Sequence, residues 1–265
     1  MKHHVDLVVM DWGIGGLSVY NEIRARQPEL SILYFSDSGN MPYGKMPSSR
    51  LRARVREIVL RFAAEGVRHF VVACNAASTV LPGLAREFKR RELNVAGVIE
   101  HGVGLIERSK FRHVGVIGGK RTILSRHYTR PFATGASRAN QAGRKKLVVG
   151  RIAQPLSALI EAGDLDSAHM RATLDEILRP LKTCDALVLA CTHYPAVAPL
   201  IQEILPGCRL LDPADATARY VKLKWKFKPA SRARQIFMTS GSPAGMIRSA
   251  RLAFGTRIAS VTQTK

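Results

Sequence analysis

The sequence predicts an α/β protein built on mostly parallel sheets, and three observations carry that prediction. Short apolar runs alternate with amphipathic stretches along the whole chain, the pattern of strands alternating with helices. The runs are rich in Val, Leu and Ile without polar alternation, as strands buried on both faces require. Two of them, FVVACNAAS at 70–78 and LVLACTHYP at 187–195, repeat one plan: strand-type residues, then Ala-Cys, then a small polar residue. Ligands of open α/β sheets bind beyond the C-terminal ends of the strands. Cys74 and Cys191 are therefore presented alike from two similar halves, which points to one site shared between them.

Each element follows in order. Residues 5–10 form a strand ending at Asp11, and WGIGG then leads into a helical pattern over 17–26. The glycines do not make a dinucleotide fingerprint, because Gly13 and Gly15 are followed by Ser18 where a third glycine is required. Asp11 is either a carboxylate serving the helix N-terminus or an acid at a strand end facing a pocket. Residues 31–35 are a second strand, running into the polar loop DSGNMPYGK, whose Gly39, Pro42 and Gly44 exclude regular structure. An Arg-rich helix over 50–66, the Cys74 strand and a helix over 79–91 come next.

Residues 95–99 open a new round, with Glu100-His101-Gly102 at the strand's end, and 114–117 repeat the scheme with Gly118-Gly119-Lys120. The second trio is no phosphate loop: Gly115 is one residue too close and Arg121 follows the lysine where Ser or Thr is needed. An exposed turn region is expected over 134–146. Helices follow over 155–162, with Glu161 near the end, and over 167–181. The Cys191 strand, a helix over 195–205 and a strand ending at Asp212-Pro213 complete the pattern. The halves divide as residues 1–98 plus 210–265 and residues 99–209.

Composition limits the function classes. With 265 residues and 46% hydrophobic content the chain can bury one large or two modest cores. The N-terminus lacks the apolar region of a signal peptide, and no stretch reaches the roughly 18 apolar residues of a membrane span. The four cysteines, at 74, 184, 191 and 208, show no CxxC pairing, so no zinc site is expected and a reduced, cytoplasmic setting is the default. Net charge is +21, with eleven basic residues and no acid from 216 to 265. Such an excess favours anionic partners, nucleic acid among them, and says little about fold.

Asp11 with GIGGLSV, DSGNMPYG at 37–44, VVACNAAS at 71–78, GVIE at 97–100, VGVIG at 114–118, CTHYP at 191–195, LDPA at 211–214 and TSGSP at 239–243 together resemble the aspartate/glutamate racemase superfamily, and within it the glutamate racemases. The resemblance spans nearly the whole chain. It implies two flavodoxin-like parallel-sheet domains related by pseudo-twofold symmetry, with the active site in the cleft between them. It also implies racemisation without metal, flavin or pyridoxal phosphate, supplying D-glutamate for peptidoglycan, and a homodimer.

Inverting Cα means removing a proton from one face and returning one to the other, which two flanking bases do more readily than one. Cysteine suits the task, being basic as thiolate and a donor as thiol. By resemblance Cys74 serves the D-substrate and Cys191 the L-substrate, assisted by Asp11 and His193, with Glu161 a further contributor. Substrate contacts are implied at Asp11, Trp12, Pro42, Tyr43, Gly44, Asn75, Ala76, Thr192 and His193. Cys184 and Cys208 match no functional position.

The chain departs from that pattern at four places. Trp12 stands where serine is usual, Ala76 and Gly119 where threonine is usual, and His101 where proline is usual. Unmade hydrogen bonds to charged groups cost about 1.5–3 kcal/mol each. Glutamate racemisation, action on another amino acid or small acid, and a binding role for the basic surface are therefore all carried forward.

Overall fold

The apolar runs fold as strands because each buries both faces. In the computed structural model, which describes residues 5–133, 145–227 and 233–264, the chain runs β1 (Leu7–Asp11), α1 (Leu17–Arg26), β2 (Ile32–Ser36), α2 (Ser48–Ala64), β3 (His69–Val72), α3 (Asn75–Ser78), α4 (Ala85–Arg90), β4 (Asn94–Gly97) and α5 (Ile99–Arg108). It continues β5 (His113–Gly118), α6 (Lys120–Leu124), β6 (Leu147–Ile152), α7 (Gln154–Ala162), α8 (Ala168–Leu178), β7 (Ala186–Ala190), α9 (Ala198–Ile204) and β8 (Arg209–Leu211). The last elements are α10 (Pro213–Lys224), β9 (Gln235–Thr239), α11 (Pro243–Phe254) and β10 (Thr262–Gln263).

Two sheets result, in the orders β10-β9-β2-β1-β3-β4 and β6-β5-β7-β8. Every strand pairing among the described residues is parallel. The first four strands of each sheet share one order: second, first, third, fourth. Along β1, Leu7 and Val9 enter one core cluster while Val8 and Met10 enter another on the opposite face. Along β7, Leu187 and Leu189 face one cluster while Ala186, Val188 and Ala190 face another. Burying each large aliphatic side chain is worth about 1.5–3 kcal/mol, which is why these strands tolerate no polar alternation.

Several expected elements are corrected. The helix expected over 79–91 is broken at Leu81–Gly83, a single 3-10 turn, because Pro82-Gly83 interrupts the ladder before α4. Pro180 likewise ends α8 in a 3-10 turn at Arg179–Leu181, and the helix expected over 195–205 begins as a 3-10 turn at Tyr194–Val197. The strand expected over 95–99 ends at Gly97, so Glu100, His101 and Gly102 lie in the first turn of α5 rather than at a strand's end. The edge strand β6 was not anticipated; its residues are half-buried or exposed and include Gly150, so it lacks the signal of a buried run. Of the turn expected over 134–146, residues 134–144 lie outside the described residues.

The chain after 210 returns to the first sheet, β9 pairing with β2 from Ile32↔Gln235 to Ser36↔Thr239. Strand β8 continues to Leu211 in the second sheet, past the expected boundary at 209. No helix among the described residues is long and apolar enough to cross a membrane.

Candidate functional site

Each half ends its third strand on a cysteine. Cys74 follows β3 and caps α3 in extended conformation (φ −121°, ψ 120°), and Cys191 follows β7. The matching strand order of the two sheets accounts for the matching positions. Cys74 is buried and Cys191 half-buried.

The surroundings of the two thiols differ in charge. Beside Cys74, at the end of β1, stands Asp11, which is 1% exposed. Burial pushes its pKa up, opposed by the His193 charge and by hydrogen bonds from Cys74, Thr192 and the Trp12 backbone. Trp12 N–H donates to Oδ1 (2.6 Å) and Thr192 Oγ1 to Oδ2 (2.9 Å). Burial, then the Asp11 charge, pushes the Cys74 thiol well above its ordinary value. Cys74 therefore rests as a protonated thiol.

Cys191 sits instead beside a cation. Its Sγ is 3.7 Å from His193 Nδ1, and His193 Nε2 is 2.7 Å from Glu161 Oε1. Burial opposes the imidazolium, yet Cys191 and Glu161 together hold the His193 pKa well above the ordinary range. With both ring nitrogens protonated, His193 donates to the sulfur and to the carboxylate at once. Glu161 Oε1 also accepts from Ile14 N–H (2.8 Å), so the second half reaches the turn after β1. That turn must be glycine-rich: a Cβ on Gly13 would lie 1.8 Å from Glu161 Oε1, and one on Gly15 would lie 2.5 Å from His193 Nδ1.

Other expected contacts are placed unevenly. Asn75 is buried, its Oδ1 accepting from Tyr128 Oη (2.7 Å). Ala76 packs against the cluster that contains Cys74. The Tyr43 ring is buried in the cluster that contains Cys74, and its hydroxyl is committed to Asp37, donating to Oδ2 (2.8 Å). Pro42 opens the Tyr43-Gly44 turn, its carbonyl accepting from Lys45 N–H (2.8 Å). Trp12 does not hang loose in the cleft: its indole Nε1 donates to Asn40 O (2.8 Å), tying the ring to the loop after β2.

Residues 7–221 match the Asp/Glu/hydantoin racemase family. The chain belongs to that family. It is 36% identical to a glutamate racemase of Stutzerimonas stutzeri over 91% of this chain and 90% of that protein. Among solved structures, a glutamate racemase from Thermus thermophilus in complex with beta-chloro-D-alanine superposes with TM-score 0.84 at 30% identity, covering 98% of this chain and 97% of that one. The RacE1 glutamate racemase isoform of Bacillus anthracis gives TM-score 0.85 at 27% identity, over 100% of this chain and 98% of that one. The protein is thus an amino-acid racemase of the glutamate racemase type.

Two features of this racemase escaped the sequence reading. Tyr128, which holds Asn75, lies between α6 and a 3-10 turn and carried no motif. Asp37 was visible in DSGN, but its partners were not: besides Tyr43 it accepts from Arg54 (2.6 and 2.9 Å), Asn40 (2.9 Å) and Ser240 (2.9 Å). That network anchors the loop carrying Tyr43-Gly44 to α2 and to the end of β9.

Proposed function

We propose that the protein interconverts L- and D-glutamate by a two-base, cofactor-independent mechanism, supplying D-glutamate for peptidoglycan. The observation that carries the proposal is the unequal pairing of the thiols, Cys74 against anionic Asp11 and Cys191 against cationic His193. In the L-to-D direction the Cys191 thiolate, beside its imidazolium, takes the Cα proton. The Cys74 thiol returns its own proton to the opposite face, leaving Cys191 protonated and Cys74 as thiolate. The reverse direction starts from that second state, in which the Cys74 thiolate takes the Cα proton of the D-substrate. Substrate carboxylates are held by backbone N–H groups of the Tyr43-Gly44 turn, by the side-chain NH2 of Asn75 and by the backbone of Thr192, whose hydroxyl is committed to Asp11. The same reading, resting on family resemblance, makes the protein a cytoplasmic homodimer, and its +21 charge supports a loose association with nucleic acid.

Replacing Cys74 or Cys191 by alanine tests the assignment. Each variant is expected to lose racemisation in both directions, because each removes the only base on one face of Cα. In Cys→Ser variants, exchange of the α-hydrogen with solvent deuterium is expected to become strongly dependent on the enantiomer supplied. Equal exchange for both enantiomers would point to a single base. A second reading, another amino acid or small acid as substrate, is favoured by Trp12 and Ala76, which bring an indole and remove a hydroxyl beside Cys74. A racemisation assay across amino acids separates the two.

A further inference from the structure

A cavity of about 1020 Å3 opens beside the thiol site, walled by Gly44 of the substrate turn and by Thr79, whose hydroxyl donates to Ala76 O. The short helix α3, which follows Cys74, packs against α6, and α6 contributes Lys120 and Arg121 to the cavity wall. Four cationic side chains line it, Lys45, Arg52, Lys120 and Arg121, and no carboxylate does.

The four are not equivalent. Arg121 reaches from the second sheet's side to the first: its Nε donates to Tyr43 O (3.1 Å), Nη1 to Ser48 Oγ (2.9 Å) and Nη2 to Met46 O. It is fixed, and it fixes the turn that carries Gly44. Lys45, Arg52 and Lys120 are exposed and form no ion pair among the described residues. Three uncommitted cations on a concave wall focus field lines toward its floor, where the potential draws in anions and repels cations.

We infer that this cavity is an encounter subsite that selects amino acids bearing a second carboxylate, with Lys45, Arg52 and Lys120 as its specificity-determining cations and Arg121 as the clamp that shapes it. The inference rests on the racemase reading. An acidic amino acid carries net charge −1 near neutral pH and gains from three unpaired cations, whereas a zwitterion of zero net charge gains little. The neutral donors beside the thiols hold carboxylates only at contact and exert no long-range pull, and the His193 charge is engaged by Cys191 and Glu161.

The test compares the parent protein with Lys45→Gln/Arg52→Gln/Lys120→Gln and with a control, Lys222→Gln/Lys224→Gln/Arg248→Gln, which removes equal charge from exposed positions outside the cavity. Turnover of glutamate is followed at low ionic strength and at an ionic strength where the Debye length falls to about 3 Å. The parent's kcat/KM is expected to fall roughly tenfold with salt while kcat holds. The cavity variant is expected to start at the lower kcat/KM and to be insensitive to salt, and the control to behave as the parent does. A salt-independent parent, an unaltered cavity variant, or an equal loss in the control would overturn the inference. If the folded parent racemises no amino acid, the racemase reading itself fails. Calorimetric titration with glutamate, in the same three proteins at the same two salts, then decides the subsite on binding alone.

Discussion

Thr192 donates a 2.9 Å hydrogen bond from Oγ1 to Oδ2 of Asp11, 181 positions away in sequence. Asp11 ends the central strand of one sheet and Thr192 follows the third strand of the other, so the bond ties the two halves at the floor of the site. Thr192→Val removes the donor and leaves a buried carboxylate oxygen short of a partner. A stability loss of about 1–3 kcal/mol is expected in denaturant unfolding, with kcat reduced. Thr192→Ser, which keeps the hydroxyl, is expected to recover most of both.

The His193 and Glu161 pair makes a pH prediction with a definite sign. The folded pKa of His193 is raised above its unfolded value of 6.5. Its contribution to stability is therefore fully present below pH 6.5 and lost as pH rises through the folded value. Glu161→Gln removes one of the two groups that hold the imidazolium, so the alkaline fall in stability is expected to begin at lower pH. The alkaline limb of the pH–rate profile is expected to move the same way. An unchanged limb would mean that Cys191 alone sets the imidazole.

Gly13→Ala probes the same pair sterically. A Cβ there would meet Glu161 Oε1 at 1.8 Å, and Gly13 has an ordinary backbone conformation, so the strain falls on the glutamate side chain. Glu161 must swing out, breaking its bonds to Ile14 N–H and His193. Activity is expected to fall at least tenfold, with the His193 ring titration seen by NMR moving toward 6.5 and the unfolding midpoint lowered by the loss of the two buried hydrogen bonds.

His101 makes the opposite pH prediction. Burial, with Arg108 nearby, lowers its pKa from 6.5 to about 4, and its Nε2 is buried without a hydrogen bond, 4.0 Å from Glu100 Oε1, while the ring stacks on Tyr220. A depressed histidine lets the unfolded chain take up a proton that the folded chain refuses. Stability then falls as pH drops from 6.5 to about 4 and levels off below. The loss is on the order of 3 kcal/mol. His101→Phe, which keeps the stacking, is expected to flatten that acid slope.

Much of this was legible in the sequence, for local reasons. Buried strands must be apolar on both faces, so β1, β3 and β7 declared themselves, and the repeated Ala-Cys marked the two strand ends at which Cys74 and Cys191 stand. What was not legible fails for equally physical reasons. An edge strand such as β6 buries too little to leave a periodic signal, and Pro82-Gly83 breaks a helix that amphipathic spacing alone extends.

The sequence by itself determined the alternation of strands and helices, the strand-end positions of Cys74 and Cys191 and the glycine-rich turn after Asp11, because these depend on residue type and near neighbours. Only the tertiary structure decided which charge each thiol faces, where the Trp12 ring goes, and that Arg121 grips the Tyr43 turn. Those outcomes rest on contacts between residues tens to hundreds of positions apart. Hydrogen-bond geometry and burial acting across the two sheets set them, and no local pattern encodes either.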